Sequence, residues 1–213
     1  KIRTILTEAL EQIAATQAKA VAVDVILADQ GSGASDEAED ARLEAALRDT
    51  KNLILSCDLV ATGWEDPIPR FASGAAALGH AHSEVDRLDG VNRALSLEET
   101  AGHQRRWALS LEAFRIARGQ PITESPADIE IGGTVIPAPR GASGRPMLIR
   151  YLPAGIATVS ALHITENARL LQGKTVFLGV TALSAARDRL LNPYGVNVAG
   201  VEVHAHAFET IAR

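Results

Sequence analysis

Asp24 stands inside the run Val21-Ala22-Val23-Asp24-Val25-Ile26-Leu27, a carboxylate among apolar and β-branched residues. A buried, unpaired charge is very costly, so Asp24 must have a partner or carry a proton. It is either held in a structural ion pair or by loop amides, or it is an acid that meets a ligand or metal at a sheet edge. Four of the six histidines form two His-x-His pairs, His80/His82 and His204/His206. On a strand, positions i and i+2 face one side, so His80 and His82 could share a metal. On a helix His204 and His206 point apart, and Glu202 with His206 is the better-spaced pair. Neither pair has a carboxylate beside it in a zinc-type pattern, so no metal and no cofactor is expected.

Other reactive residues point away from catalysis. Gly179-Val180-Thr181 follows an apolar run and either turns backbone amides towards a ligand or simply ends a strand. The chain has no GxGxxG and no GxxxxGK[ST], so a nucleotide cradle is not supported. Asp86-x-x-Asp89-Gly90 lacks the ligand spacing and terminal Glu of a calcium loop and reads as a hairpin turn. Cys57 lies in an apolar run and behaves as a small core residue. Ser143 is a loop serine outside any GxSxG. A metal-assisted hydrolase built on the histidines and Asp188 would need three protein ligands and an open position.

These residues must be carried by alternating helices and strands. Ile2, Ile5, Leu6, Ala9, Leu10 and Ile13 recur at helical spacing, predicting a helix to about Ala18. Val21–Leu27, Asn52–Leu59 and Lys174–Gly179 are short apolar runs of the kind covered on both faces of a sheet. Between the first two, Ser35 predicts an N-cap, with Asp36 and Glu37 in the first turn. Ala75–Ser83 and Val91–Leu97 predict further strands on either side of the Asp-Gly turn. Trp107, Leu111, Phe114 and Ala117 predict a helix over Gln104–Arg118, stopped by Gly119. Residues 122–155 hold short strands broken by Pro and Gly, and Val159–Leu171 is partly helical. A last helix starts near Val201. The order predicts one α/β domain over 1–213, a three-layer α/β/α arrangement with a mainly parallel sheet and an antiparallel β extension.

Composition limits the partners. Net charge is −5 and aromatic residues make up 4%. A nucleic-acid binder needs a basic face and stacking platforms, so no nucleic acid is expected. One cysteine allows no intrachain disulfide. No apolar run reaches the ~18 residues of a membrane span. The first helix pattern begins at Ile2 without a capping residue, and Phe208 and Ile211 are still periodic at the other end. The expectation is that both ends are cut from longer helices.

An ordered set of segments resembles the second type of CHASE domain. It comprises AVAVDVIL around Asp24, ALGHAHSEVDRLDGVNRALSL, MLIRYL, KTVFLGVTA, Asp188 with Asn192-Pro193, and AGVEVHA. The most specific parts are Asp24, the stretch with Gly79, Asp86, Asp89, Gly90 and Arg93, and the close with Gly179, Thr181, Asp188, Pro193, Gly200, Glu202 and His204. The resemblance implies an extracytoplasmic sensory domain without catalytic activity, attached to cyclases, histidine kinases or serine/threonine kinases. It implies a place on the periplasmic or extracellular side of the cytoplasmic membrane, with contact to the membrane only through flanking helices. The ligand would be a small-molecule or protein signal, read by Asp24, Arg93, Thr181, Asp188 and His204, in a receptor that forms a homodimer. A dimerisation module that binds nothing small is the remaining alternative.

Overall fold

The structure is a computed structural model that describes residues 2–31, 33–141, 144–182 and 189–213 of the chain. Asp188 and Ser143 lie outside the described residues.

Helix α1 (Ile2–Ala15) leads into β1 (Ala20–Asp24), α2 (Ala34–Asp49) and β2 (Leu53–Val60). Then come β3 (Gly63–Glu65), α3 (Pro69–Ala72) and β4 (Ala77–His80). The later strand β12 (Thr175–Gly179) completes the central sheet, in which β12, β1, β2 and β4 run parallel and β3 turns back on β2. The sheet is therefore mixed and the fold is α/β.

Alternation along β1 decides what covers each face. Val21 and Val23, with Leu53 and Leu55 of β2, pack on Leu6, Leu10 and Ile13 of α1 and Leu43 and Leu47 of α2. Ala20 and Ala22 point the other way, with Ile54. They meet Leu109 and Ala113 of α4 (Leu109–Arg118) and the partly buried Phe208 of α6 (Gly200–Ile211). The small residues let α4 come close. A Cβ on Gly79 of β4 would sit 2.6 Å from the Leu109 Cα, and one on Gly179 of β12 would sit 2.6 Å from the Val201 Cβ. Two helix N-termini thus dock on the carboxyl edge of the sheet where only glycine fits.

The outer sides of α4 and α6 are covered as well. Leu111, Phe114, Val203, Ala207 and Ile211 share a core with Ile129, Ile131, Ile136, Met147, Ile149 and Tyr151 of the β extension. That extension holds β5 (Ala94–Ser96) paired with β11 (Pro146–Leu148), and β8 (Thr123–Glu124), β9 (Asp128–Ile131) and β10 (Thr134–Pro137) in an antiparallel ladder. A hairpin of β6 (Glu98–Ala101) and β7 (Gln104–Trp107) and a second of β13 (Arg189–Leu191) and β14 (Asn197–Ala199) complete it. A partly buried ion cluster braces the extension. Arg145, 1% exposed, donates to the carbonyls of Ala138 and Ser125 at 2.7 Å each, beside Glu98 and Glu124, which also hold Arg105 and Arg140.

Several expectations need correction. The helix expected from Gln104 starts at Leu109, because Gln104–Trp107 pairs with Glu98–Ala101 across a turn in which Gly102 takes φ +59°. Ser35 does not cap α2; the N-cap is Gly33, with no side-chain cap bond. The Asp86–Gly90 turn exists, with Gly90 N–H donating to the Asp86 carbonyl at 2.7 Å, but the strands around it do not form a hairpin. β4 joins the central sheet and β5 pairs with β11. Val159–Leu171 contributes only a 3-10 turn at Ala161–His163 and the four-residue α5 (Ala168–Leu171).

Candidate functional site

Ligands of open α/β sheets bind beyond the carboxyl ends of the strands. Here β1 ends at Asp24, level with Gly179 of β12, and Cys57 of β2 lies level with His80 of β4. The N-termini of α4 and α6 close over this edge. His80 makes a parallel bridge to Ala108, the N-cap of α4, and His204 of α6 donates from Nε2 to the Ala81 carbonyl at 3.3 Å. A carbonyl only accepts, so that nitrogen carries the hydrogen.

The edge is unusually rich in buried polar atoms. Ser56, His80 and Ser110 are 0% exposed and His204 is 1% exposed. Among the described residues, Ser56 Oγ, Ser110 Oγ, both ring nitrogens of His80 and Nδ1 of His204 have no hydrogen-bond partner. A buried polar group left unsatisfied costs about 1–3 kcal/mol, so several together mark a region not optimised for stability alone.

Electrostatics differ sharply between neighbours. Burial, helped by His204 and His82, pushes the His80 imidazole down to about 3. Its ring stacks on Trp64 with centroids 6.3 Å apart. His82, two residues on, moves up instead, because its ring lies 3.7 Å from Asp58 and 3.6 Å from Glu84. Asp58 moves down for the same reason. His80 and His82 therefore share no site. Burial pushes the Cys57 thiol up to about 12, which makes it an inert core group. Among the described residues no three His, Cys, Asp or Glu side chains are grouped to hold a metal ion.

The remaining candidate residues fall in separate places. Asp24 is half-buried at the end of β1. Thr181 is exposed, and its carbonyl accepts from Arg189 at 3.3 Å. Arg93 pairs with Asp89 of the turn at 2.7 Å, and both are exposed. Asp86 and Asp89 accept from the Leu88 and Val91 amides and shape the turn. Pro193 lies in the β13–β14 turn, where Asn192 Oδ1 accepts from the Tyr194 and Val196 amides. Glu202 does not pair with His206; its carboxylate accepts from the Ala199 N–H at 2.8 Å, capping the first turn of α6. Gly200 is the first residue of that helix. His206 accepts the Leu152 N–H on Nδ1 at 3.3 Å.

Ser56 and Ser110, two buried hydroxyls without a hydrogen-bond partner among the described residues, were not singled out from the sequence. Ser56 had the same signal as Asp24, a polar residue inside an apolar strand. Ser110 had none, because a serine in a helix is ordinary.

A family model for the CHASE2 domain matches residues 2–213. The chain belongs to the CHASE2 family. CHASE2 domains are extracytoplasmic, non-catalytic sensory domains of signalling proteins. No curated protein and no solved structure matches this CHASE2 chain. No described helix is long and apolar enough to cross a membrane.

Proposed function

We propose that this chain is the single ligand-sensing domain of a transmembrane receptor whose output is a cyclase, a histidine kinase or a serine/threonine kinase. The CHASE2 match over residues 2–213 carries this reading. The carboxyl edge supports a place for signal reception, since the N-termini of α4 and α6 come together there with buried side chains that have no hydrogen-bond partner among the described residues. A signal that favours one packing of α6 over another is transmitted; one that binds both packings equally is not. Asp24 and Thr181 stand at the ends of β1 and β12 on this side of the sheet, and in this reading the receptor works as a homodimer tied to the membrane by helices outside the domain.

Protease protection tests the placement. In right-side-out vesicles holding the full-length receptor, added protease removes the domain; in inverted vesicles it does not. Digestion only in inverted vesicles would place the domain in the cytoplasm and end the sensory reading. Receptor output measured with and without the domain tests the coupling, and unchanged output would remove it.

A further inference from the structure

Helix α6 is buried nearly all round, yet it carries two histidines and faces a third. Val201, Val203, Ala205, Ala207 and Ile211 are buried beside His204 and His206. His206, 3% exposed, packs on Tyr151 with centroids 4.9 Å apart. Its Nδ1 accepts the Leu152 N–H, and a backbone N–H only donates, so that nitrogen must be unprotonated. On the opposite side, His204 reaches the Ala81 carbonyl, next to His80, whose ring nitrogens have no partner among the described residues.

We propose that α6 is an acid-releasable element: protonation of His80 and His206 undocks it from the carboxyl edge and from the β extension. A proton on His206 Nδ1 removes the acceptor of the Leu152 N–H and sets donor against donor. A proton on His80 places a charge in a fully buried site, where the His82 backbone and Asp58 offset only part of the lost hydration. The groups around His80 are Trp64 of β3, Cys57 and Asp58 of β2, His82, and His204 of α6. Only Asp58 is an acid, and it is already engaged with His82. Around His206 stand Tyr151 and Leu152, with Glu202 and Glu209 on its own helix. Glu202 is committed to the Ala199 amide. Burial holds both imidazoles below their ordinary range, in keeping with this geometry. As a means of sensing, the release rests on the sensory reading above; as a property of the fold, it does not.

The test is amide hydrogen exchange of the 213-residue chain at pH 7.5 and 5.0, read as protection factors corrected for intrinsic rates. Peptides covering α6 are expected to lose protection at least tenfold more than those covering β1 and β2. Linkage through His80 alone amounts to about 30-fold over this interval. In the double variant His80→Phe, His206→Gln the difference should largely vanish, since Phe keeps the stack on Trp64 and Gln keeps an acceptor for Leu152. If that variant does not fold, His206→Gln alone must lessen the loss. Equal protection of α6 at both pH values, an equal loss across all strands, or an unaltered response in the variants would overturn the proposal. Release of α6 without any change in receptor output at acid pH would leave it standing as a property of the fold and overturn it as a means of sensing.

Discussion

His204 Nε2 lies 3.3 Å from the Ala81 carbonyl and ties the first turns of α6 to the segment just beyond β4. The contact spans the carboxyl edge between β4 and α6, so any signal that moves α6 must act on it. Its geometry depends on two glycines that let helix N-termini sit directly on strands.

Gly79→Ala should destabilise the domain by about 1–3 kcal/mol, because the new Cβ meets backbone that cannot step aside. Gly179→Ala meets the Val201 side chain instead, at the start of α6. Urea titrations of both variants check this. A midpoint equal to wild type for Gly79→Ala would show that α4 is not seated on β4 as described.

Arg145 should be the most sensitive cation of the β extension. Arg145→Met removes donors from two carbonyls and leaves Glu98 buried beside fewer charges. Breaking a buried ion cluster from one side costs about 3–5 kcal/mol. Denaturant unfolding followed by Trp fluorescence measures it. A loss no larger than that of a surface arginine would contradict the structural role.

Arg93 tests the reverse situation. It holds the Asp89 carboxyl down to about 2, but both groups are exposed. Arg93→Ala should return the Asp89 titration, followed by NMR, towards the ordinary carboxylate range while leaving the melting temperature within a degree or so, as expected of a solvent-screened pair. A marked loss of stability would mean that the turn is anchored more deeply than the contacts show.

Acid should weaken the fold through His80. A histidine whose folded value is depressed binds its proton more readily when unfolded, so stability is full above pH ~6.5 and is lost as pH falls towards the folded value of about 3. Between pH 7.5 and 5.0 this amounts to about 2 kcal/mol. His206 acts in the same direction. His82, Glu99 and Glu112, all raised, act in the opposite one, each contributing stability at low pH that is lost as pH rises. Subtracting the pH profile of His80→Phe from that of wild type isolates the one residue. A flat difference would show that His80 is not buried uncharged.

The layered core was legible because strands covered on both faces must be apolar throughout, as Val21–Val23 and Leu53–Leu55 are. The β7 strand was not, because Trp107 prolongs the apolar stripe of α4 and hides the boundary; only Gly102 marks the turn before it. The site was legible in part. Asp24 stood out against its strand, and the Gly79 and Gly179 positions stood out by resemblance. The burial of His80 depends on α6 arriving from 120 residues later in the chain, and no local pattern encodes that. Arg93 stood out only by resemblance, and its exposed pairing with Asp89 was not legible.

In the proposed receptor, a signal received at the carboxyl edge is passed on through α6. This relay is tested most directly by the output of the full-length receptor in vesicles, with Ser56→Val and Ser110→Val introduced together. The valines remove the buried hydroxyls of β2 and of the first turn of α4, which have no hydrogen-bond partner among the described residues, while the melting curve of the isolated domain checks that the fold survives. Receptor output is expected to shift several-fold and to become fixed in one state. Output that still switches as in wild type, from a domain that melts as wild type does, would contradict it.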